Sequence, residues 1–151
     1  MRFLLAVPFL VSSLACAGIF VEPEEGDYEV EVSGVDVSAA CEDSWGLDVD
    51  AFGDIEVMEV EINAASDEVT LDGVIECELA GAAFDCEMED EQDFGAEDYD
   101  ATFVTSTVVE GKWTTSTTLE SDWEVRYSCD GADCGGVESC EVTFTLEGEL
   151  D

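Results

Sequence analysis

The sequence has no histidine and almost no positive charge. Among its 151 residues, 40 are acidic and only 3 are basic, so the formal net charge is −37. Nucleic-acid binding depends on basic side chains that displace counterions from phosphates, and we therefore expect no nucleic-acid partner. Without histidine there is no Ser-His-Asp or Cys-His catalytic group and no histidine-ligated zinc site.

Long apolar runs are also missing, except for a short one near the N-terminus. The run from Phe3 to Val11 follows Arg2 and precedes small residues. It is too short to span a bilayer, and its position predicts a secretory signal peptide over residues 1–15. Later apolar runs are all interrupted by charges.

The end of this leader resembles the lipobox of bacterial lipoproteins. The residues are Ser13-Leu14-Ala15-Cys16, with leucine two positions before the cysteine, where lipoproteins usually have it three before. The resemblance implies lipid on Cys16, attachment to a membrane through that lipid, and a tether over residues 16–27. The predicted location is the cell envelope, at the outer membrane or the cell surface. The alternative is cleavage after Ala17, which gives a secreted soluble protein.

The cysteine count fits an exported protein. Seven cysteines become six when Cys16 is lost or lipidated, and an even set in an exported chain indicates three disulfides. The six are Cys41, Cys77, Cys86, Cys129, Cys134 and Cys140.

From Tyr28 onward, apolar and polar residues alternate with the period of β-strands. The pattern predicts one all-β domain over residues 28–151, an antiparallel meander of about eight or nine strands clasped by disulfides. A barrel or half-barrel is favoured over a sandwich because each connection joins sequential strands. Ser33-Gly34 marks a bulge, and residues 39–52 are the one loose helical candidate.

Strand register predicts the first disulfide. A turn at residues 80–83 places Leu79 opposite Phe84 and Cys77 opposite Cys86. Directly opposed residues in an antiparallel pair lie close enough for a disulfide, so we predict Cys77–Cys86.

The C-terminal half predicts three more hairpins. Turns are expected at residues 110–112 and 120–122, followed by a loop at residues 130–139. This register gives one apolar inner face: Phe103, Val109, Trp113, Leu119, Trp123, Val125, Tyr127, Val142, Phe144 and Leu146.

The same register opposes Cys129 and Cys140, which predicts a second disulfide. Elimination then pairs Cys41 with Cys134. The alternative is a short loop closed by Cys129 and Cys134.

One tripeptide resembles a lipocalin motif. Gly111-Lys112-Trp113 matches the Gly-x-Trp of lipocalins, with Arg126 as a candidate stacking partner, although lipocalins carry the motif on their first strand. The resemblance implies a calycin-like carrier of a small apolar ligand. In that case Trp113, Trp123, Tyr127 and Phe144 line a cavity; otherwise they fill the core.

Acidic segments raise the question of calcium. Residues 85–100 form an expected acidic loop, and residues 48–59 resemble an EF-hand loop with Phe52 in place of its fifth ligand. A solvated acidic surface is the preferred interpretation in both places, and a calcium-binding acidic module is the alternative.

No motif for catalysis or for a cofactor is present. A hydrolase would need two distinct carboxyl groups, and the sequence offers many without contrast. The sequence therefore predicts an exported acidic lipoprotein with a non-enzymatic envelope or binding role, and a calycin-like carrier as the alternative.

Overall fold

Eight antiparallel strands join in chain order, and the first also pairs with the last, so that the sheet closes into a barrel. The computed structural model describes residues 21–47, 55–93, 100–137 and 139–151, and the predicted signal peptide and Cys16 lie outside them. The predicted all-β meander is confirmed, and of the favoured barrel and half-barrel it is the closed barrel that is found. The strands are β1 (Gly26–Val37), β2 (Val57–Asn63), β3 (Glu68–Leu71), β4 (Ile75–Ala80), β5 (Ala83–Asp93), β6 (Thr102–Trp113), β7 (Thr118–Asp130) and β8 (Cys140–Leu150).

The barrel wall has two heights. Strands β2 to β4 have 4 to 7 residues, whereas β1 and β5 to β8 have 11 to 13. The β4–β5 ladder ends at Cys77–Cys86, but the β5–β6 ladder continues to Asp93–Thr102. Above Cys86, the described ladders pair β5 with β6 alone. We call this gap in the wall the notch, and the barrel end above it the mouth.

The opposite end, which we call the closed end, is filled by side chains. The Trp113 ring packs on Phe84 with 4.9 Å between centroids. Its indole N–H donates a hydrogen bond to the Tyr28 hydroxyl (3.0 Å), which in turn donates to the carbonyl of Glu24 (2.7 Å). The buried residues of this cluster are Tyr28, Met58, Val60, Val69, Leu71, Ile75, Cys77, Phe84, Cys86, Val109, Trp113, Leu119 and Leu146.

A second, smaller cluster lies towards the mouth. It is covered by a π-helical turn, Cys41–Trp45, which lies within the one segment named above as a loose helical candidate. Ser38 fixes this turn to β8, because its N–H donates to the carbonyl of Glu141 and its hydroxyl accepts from the Glu141 N–H, both at 3.0 Å. The buried residues of the cluster are Cys41, Val125, Cys140, Val142 and Phe144.

Two of the three predicted disulfide pairings are wrong. Cys77 and Cys86 are joined across the β4–β5 pair, as their register predicts. However, Cys140 is joined to Cys41, with 4.9 Å between Cα atoms. The β7–β8 ladder ends at Tyr127–Cys140, so Cys129 lies beyond it.

Cys129 instead closes a short loop with Cys134, with 5.8 Å between Cα atoms. The predicted pairs Cys129–Cys140 and Cys41–Cys134 both followed from a β7–β8 register that is displaced by two residues. The short-loop alternative is therefore the correct one.

The turns predicted at residues 110–112 and 120–122 are also wrong, because both segments are strand. One longer hairpin joins Trp113 to Leu119 instead. Its turn is held by threonine hydroxyls: Thr115 Oγ1 lies 2.9 Å from Thr118 Oγ1, and Thr114 Oγ1 donates to the Thr118 carbonyl. The predicted bulge after Ser33 is present in the β1–β8 pair.

The predicted inner face survives these errors, because each of them displaces the pairing by an even number of residues, which keeps every side chain on its side of the sheet. Phe103, Trp123 and Tyr127 are half-buried, and the other seven predicted members are buried.

Candidate functional site

Three aromatic rings meet at the mouth. The Trp45 ring, carried by the π-helical turn, lies 5.4 Å from the Phe103 ring of β6 in an edge-on contact and 5.7 Å from the Tyr127 ring of β7 in a tilted one. All three side chains are half-buried. We call them the mouth aromatic cluster. Burial removes water from the Tyr127 hydroxyl and raises its pKa above the usual value.

Beside this cluster, the inner face of β5 changes from apolar to polar. Phe84 and Cys86 are buried and Met88 is half-buried, but the next two residues of the same face are Asp90 and Gln92, both exposed. Side chains two residues apart on a strand share a face. The carboxylate of Asp90 therefore stands on the interior side of the strand, next to the notch.

Strand register arranges these residues in two rows. Asp90 pairs with Thr105, which pairs with Tyr127 on the next strand. In the adjacent row, Gln92 pairs with Phe103. Diagonal neighbours on one face are about 7–8 Å apart, so Asp90 and Phe103 lie within reach of one small molecule.

Loops at the mouth are locked to each other by hydrogen bonds. The N–H of Asp100 donates to the Asp133 carboxylate (2.6 Å), and the N–H of Asp133 donates to the Asp100 carbonyl (2.9 Å). Gly131 is required here, because its φ is 128° and an added Cβ would overlap the Asp100 carbonyl oxygen. The rim of the mouth is thus held together by hydrogen bonds and carries exposed carboxylates.

The outer face of the barrel offers polar grooves instead. One groove, with a volume of about 390 Å³, runs beside Gly34. Its lining includes Glu110, Asp122 and Glu124, together with Trp123 and Phe144. Asp122 there accepts a hydrogen bond of 2.8 Å from Thr145.

The acidic segment at residues 85–100 is a strand rather than a loop as far as Asp93, since β6 pairs with it over that length. Residues 94–99, and residues 48–54 of the EF-hand-like segment, lie outside the described residues. In the part of the chain that the structure describes, no three acidic or cysteine side chains converge on a point where they would hold a metal ion.

The Gly-x-Trp match has a structural role at the closed end. Trp113 is buried there, and its neighbour Lys112 forms an ion pair with Glu120 (3.2 Å). The predicted stacking of Arg126 on this motif is wrong. Arg126 is exposed and its guanidinium contacts Glu124 at 2.8 Å and Glu141 at 2.9 Å.

Sequence reasoning singled out Phe103 and Tyr127 as inner-face residues but missed Trp45 and Asp90. The signal for Asp90 is its place in the alternation of β5, where an apolar residue is expected. No comparable signal marks Trp45, because its position depends on the disulfide between Cys41 and Cys140.

No protein-family model, curated protein or solved structure matches this chain. Within the described ranges, none of the helical segments has the length and apolar character that a membrane span requires.

Proposed function

We propose that this chain is an exported, non-enzymatic binding protein that takes a small apolar ligand at the mouth of its barrel. The observation that carries the proposal is the mouth aromatic cluster, in which three half-buried rings lie together beside the notch. Small-molecule sites are typically concave, rich in aromatic side chains and equipped with a few polar groups, and barrel mouths are common places for them.

The closed end is a poorer candidate for the same ligand. Tyr28 and Phe84 are fully buried there and Trp113 nearly so, whereas the three rings of the mouth aromatic cluster are half-buried. An eight-stranded barrel is just wide enough for its own side chains or for one small ligand. Since large side chains already fill the half of the barrel at the closed end, we place the ligand in the half towards the mouth.

The surroundings of the carboxylates support a binding role over catalysis. General acid catalysis at neutral pH needs a carboxyl group held in a desolvated site. Among the described residues, the buried polar side chains are those of Thr107 and Ser121, whereas the carboxylates are exposed or half-buried.

Export and lipid attachment through Cys16 belong to the same proposal. Three disulfides among the described residues support an oxidising compartment, where such bonds form and persist. Mass spectrometry of the mature N-terminus tests the attachment. Diacyl or triacyl groups on Cys16 are expected, and an unmodified terminus at Gly18 would refute lipidation.

Ligand binding is tested with N-phenyl-1-naphthylamine, a neutral apolar probe whose emission rises in apolar surroundings. We expect saturable binding to the wild-type protein and at least tenfold weaker binding to Phe103→Ala, because the ring is a main contact surface. Val104→Ala is the matched control, since Val104 follows on the opposite face of the same strand. Circular dichroism confirms that both variants fold. Equal affinity of Phe103→Ala and Val104→Ala, or no saturable binding by the wild type, would contradict the proposal.

A further inference from the structure

The charge around the mouth is of one sign. The long strands carry exposed carboxylates at or near their mouth ends, and the π-helical turn adds two more. Of the two cations in the described part of the chain, Lys112 lies at the closed end and Arg126 contacts two glutamates on the outer face. The exposed carboxylates at the mouth are Glu42, Asp43, Asp90, Asp93, Asp100, Asp130 and Asp133.

Asp90 differs from the other carboxylates at the mouth in its position on a strand. It is the carboxylate that stands on the interior side of β5, in the row of Thr105 and Tyr127. A charged side chain at an interior position of a strand needs a counter-charge when its surroundings lose water. The described cations lie on other faces, so a bound ligand is the natural source of the positive charge.

The aromatic rings favour the same sign. A cation over the face of Trp, Tyr or Phe is attracted by the negative face of the ring, and the attraction is largest for Trp. Trp45, Phe103 and Tyr127 supply one ring of each kind at the mouth. An anion would meet both the ring faces and the rim carboxylates unfavourably.

We infer that the ligand is an organic cation with an apolar or aromatic body, its charge facing Asp90 and its body against the mouth aromatic cluster. The inference rests on the proposed ligand site and specifies the chemistry of its occupant. It excludes apolar anions such as fatty acids as the preferred class.

The test compares tetraphenylphosphonium with tetraphenylborate, two ions of matched shape and opposite charge, by tryptophan fluorescence in sodium buffer. We expect the cation to bind at least tenfold more tightly than the anion. Because the whole surface is acidic, the comparison is repeated in 1 M NaCl, where screening lengths fall to about 3 Å. A preference that disappears entirely at 1 M would assign it to the general surface charge and overturn the inference.

Substitutions test which residues cause the preference for the cation. Asp90→Asn is expected to weaken tetraphenylphosphonium binding at least threefold, whereas Glu78→Gln, which removes an exposed carboxylate from the outer face of β4, leaves it unchanged. Trp45→Leu keeps an apolar side chain but removes the best cation-binding ring, so the cation is expected to bind about threefold more weakly. In Asp90→Asn and Trp45→Leu the loss of affinity is expected to be larger for tetraphenylphosphonium than for the neutral probe, whereas Glu78→Gln should bind both like the wild type.

The outcomes separate this inference from the proposed function. Binding of the neutral probe with no preference between the two ions refutes the cationic ligand and leaves the apolar site standing. Equal loss of tetraphenylphosphonium affinity in Asp90→Asn and Glu78→Gln also refutes it. Failure of the neutral probe and of both ions to bind refutes both proposals.

Discussion

The ring of Phe84 determines that position 111 is a glycine. The Phe84 side chain is fully buried and lies where the Cβ of any other residue at position 111 would be. Gly111 and Phe84 are direct partners in the β5–β6 ladder, so the ring covers the glycine across the strand pair. Glycine is here a strand residue selected by close packing, and no turn or unusual φ is involved.

Substitution Gly111→Ala is therefore expected to destabilise the barrel. The new methyl group forces the Phe84 ring out of a packed site, and overpacking of this kind costs about 1–3 kcal/mol. Gly148→Ala is the matched control, because its Cβ would meet Leu119 and Val30 at 3.3 Å, a tight contact without overlap. Urea unfolding of both variants measures the difference, and an equal or smaller loss in Gly111→Ala would contradict the packing argument.

Tyr127 makes stability depend on pH in the alkaline range. Burial raises its pKa above the usual value of about 10, so the folded state holds the phenol proton more tightly than the unfolded chain does. Its contribution to stability is complete below about pH 10 and is lost as pH rises through the raised pKa. We expect Tyr127→Phe to flatten the decline of unfolding free energy over that range. An identical decline in wild type and variant would be evidence against it.

At the scale of strands and disulfides, the long-range bridge matters most. Cys41 and Cys140 are 99 residues apart in sequence, and their bond fixes the π-helical turn to the start of β8. Cys77 and Cys86 are 9 residues apart and join strands that a tight hairpin already holds together. Closing a long loop removes more entropy from the unfolded chain than closing a short one.

Removing Cys41–Cys140 by a double alanine substitution is expected to cost about 4–5 kcal/mol, against about 3 kcal/mol or less for Cys77–Cys86. Denaturant unfolding of the two double variants measures both losses. Non-reducing peptide mapping of the wild type should find these two pairs together with Cys129–Cys134. A larger loss from the Cys77–Cys86 variant would contradict the loop-length argument.

The same elements show which structural features the sequence predicts. Period-two alternation is a local property, and it correctly places Val109, Leu119 and Val142 on the buried face. Register is not local: it depends on where a turn falls, and threonine hydroxyls form the β6–β7 turn where glycine suggested an earlier one. Residues brought to the mouth by long-range bonds, such as Trp45, have no local signal at all.

For the molecule as a whole, charge of one sign opposes folding. The described cations form three ion pairs, all between exposed side chains, and each such pair contributes little. The remaining carboxylates repel one another on the closed barrel more strongly than on an extended chain. Counterions must supply the screening.

We therefore expect the melting temperature to rise markedly from low to molar NaCl, because salt screens the repulsion between the carboxylates. Thermal unfolding across a salt series measures the effect, with calcium and magnesium compared at matched ionic strength. A melting temperature that does not change with NaCl concentration would refute the screening argument. A gain specific to calcium would support the calcium-binding alternative instead.

The N-terminal segment leaves the barrel at the closed end, where the Glu24 N–H donates to the Ser116 carbonyl across 3.0 Å. Glu24 lies eight positions after Cys16, and an extended chain reaches at most about 3.6 Å per residue. A lipid on Cys16 would therefore hold the closed end within about 29 Å of its membrane. The mouth would then open away from that surface, towards arriving solutes. Tension on the tether would act on the contacts of the closed end, which are the packing of Val21 against the core and the Glu24–Ser116 hydrogen bond, and not on the rings at the mouth.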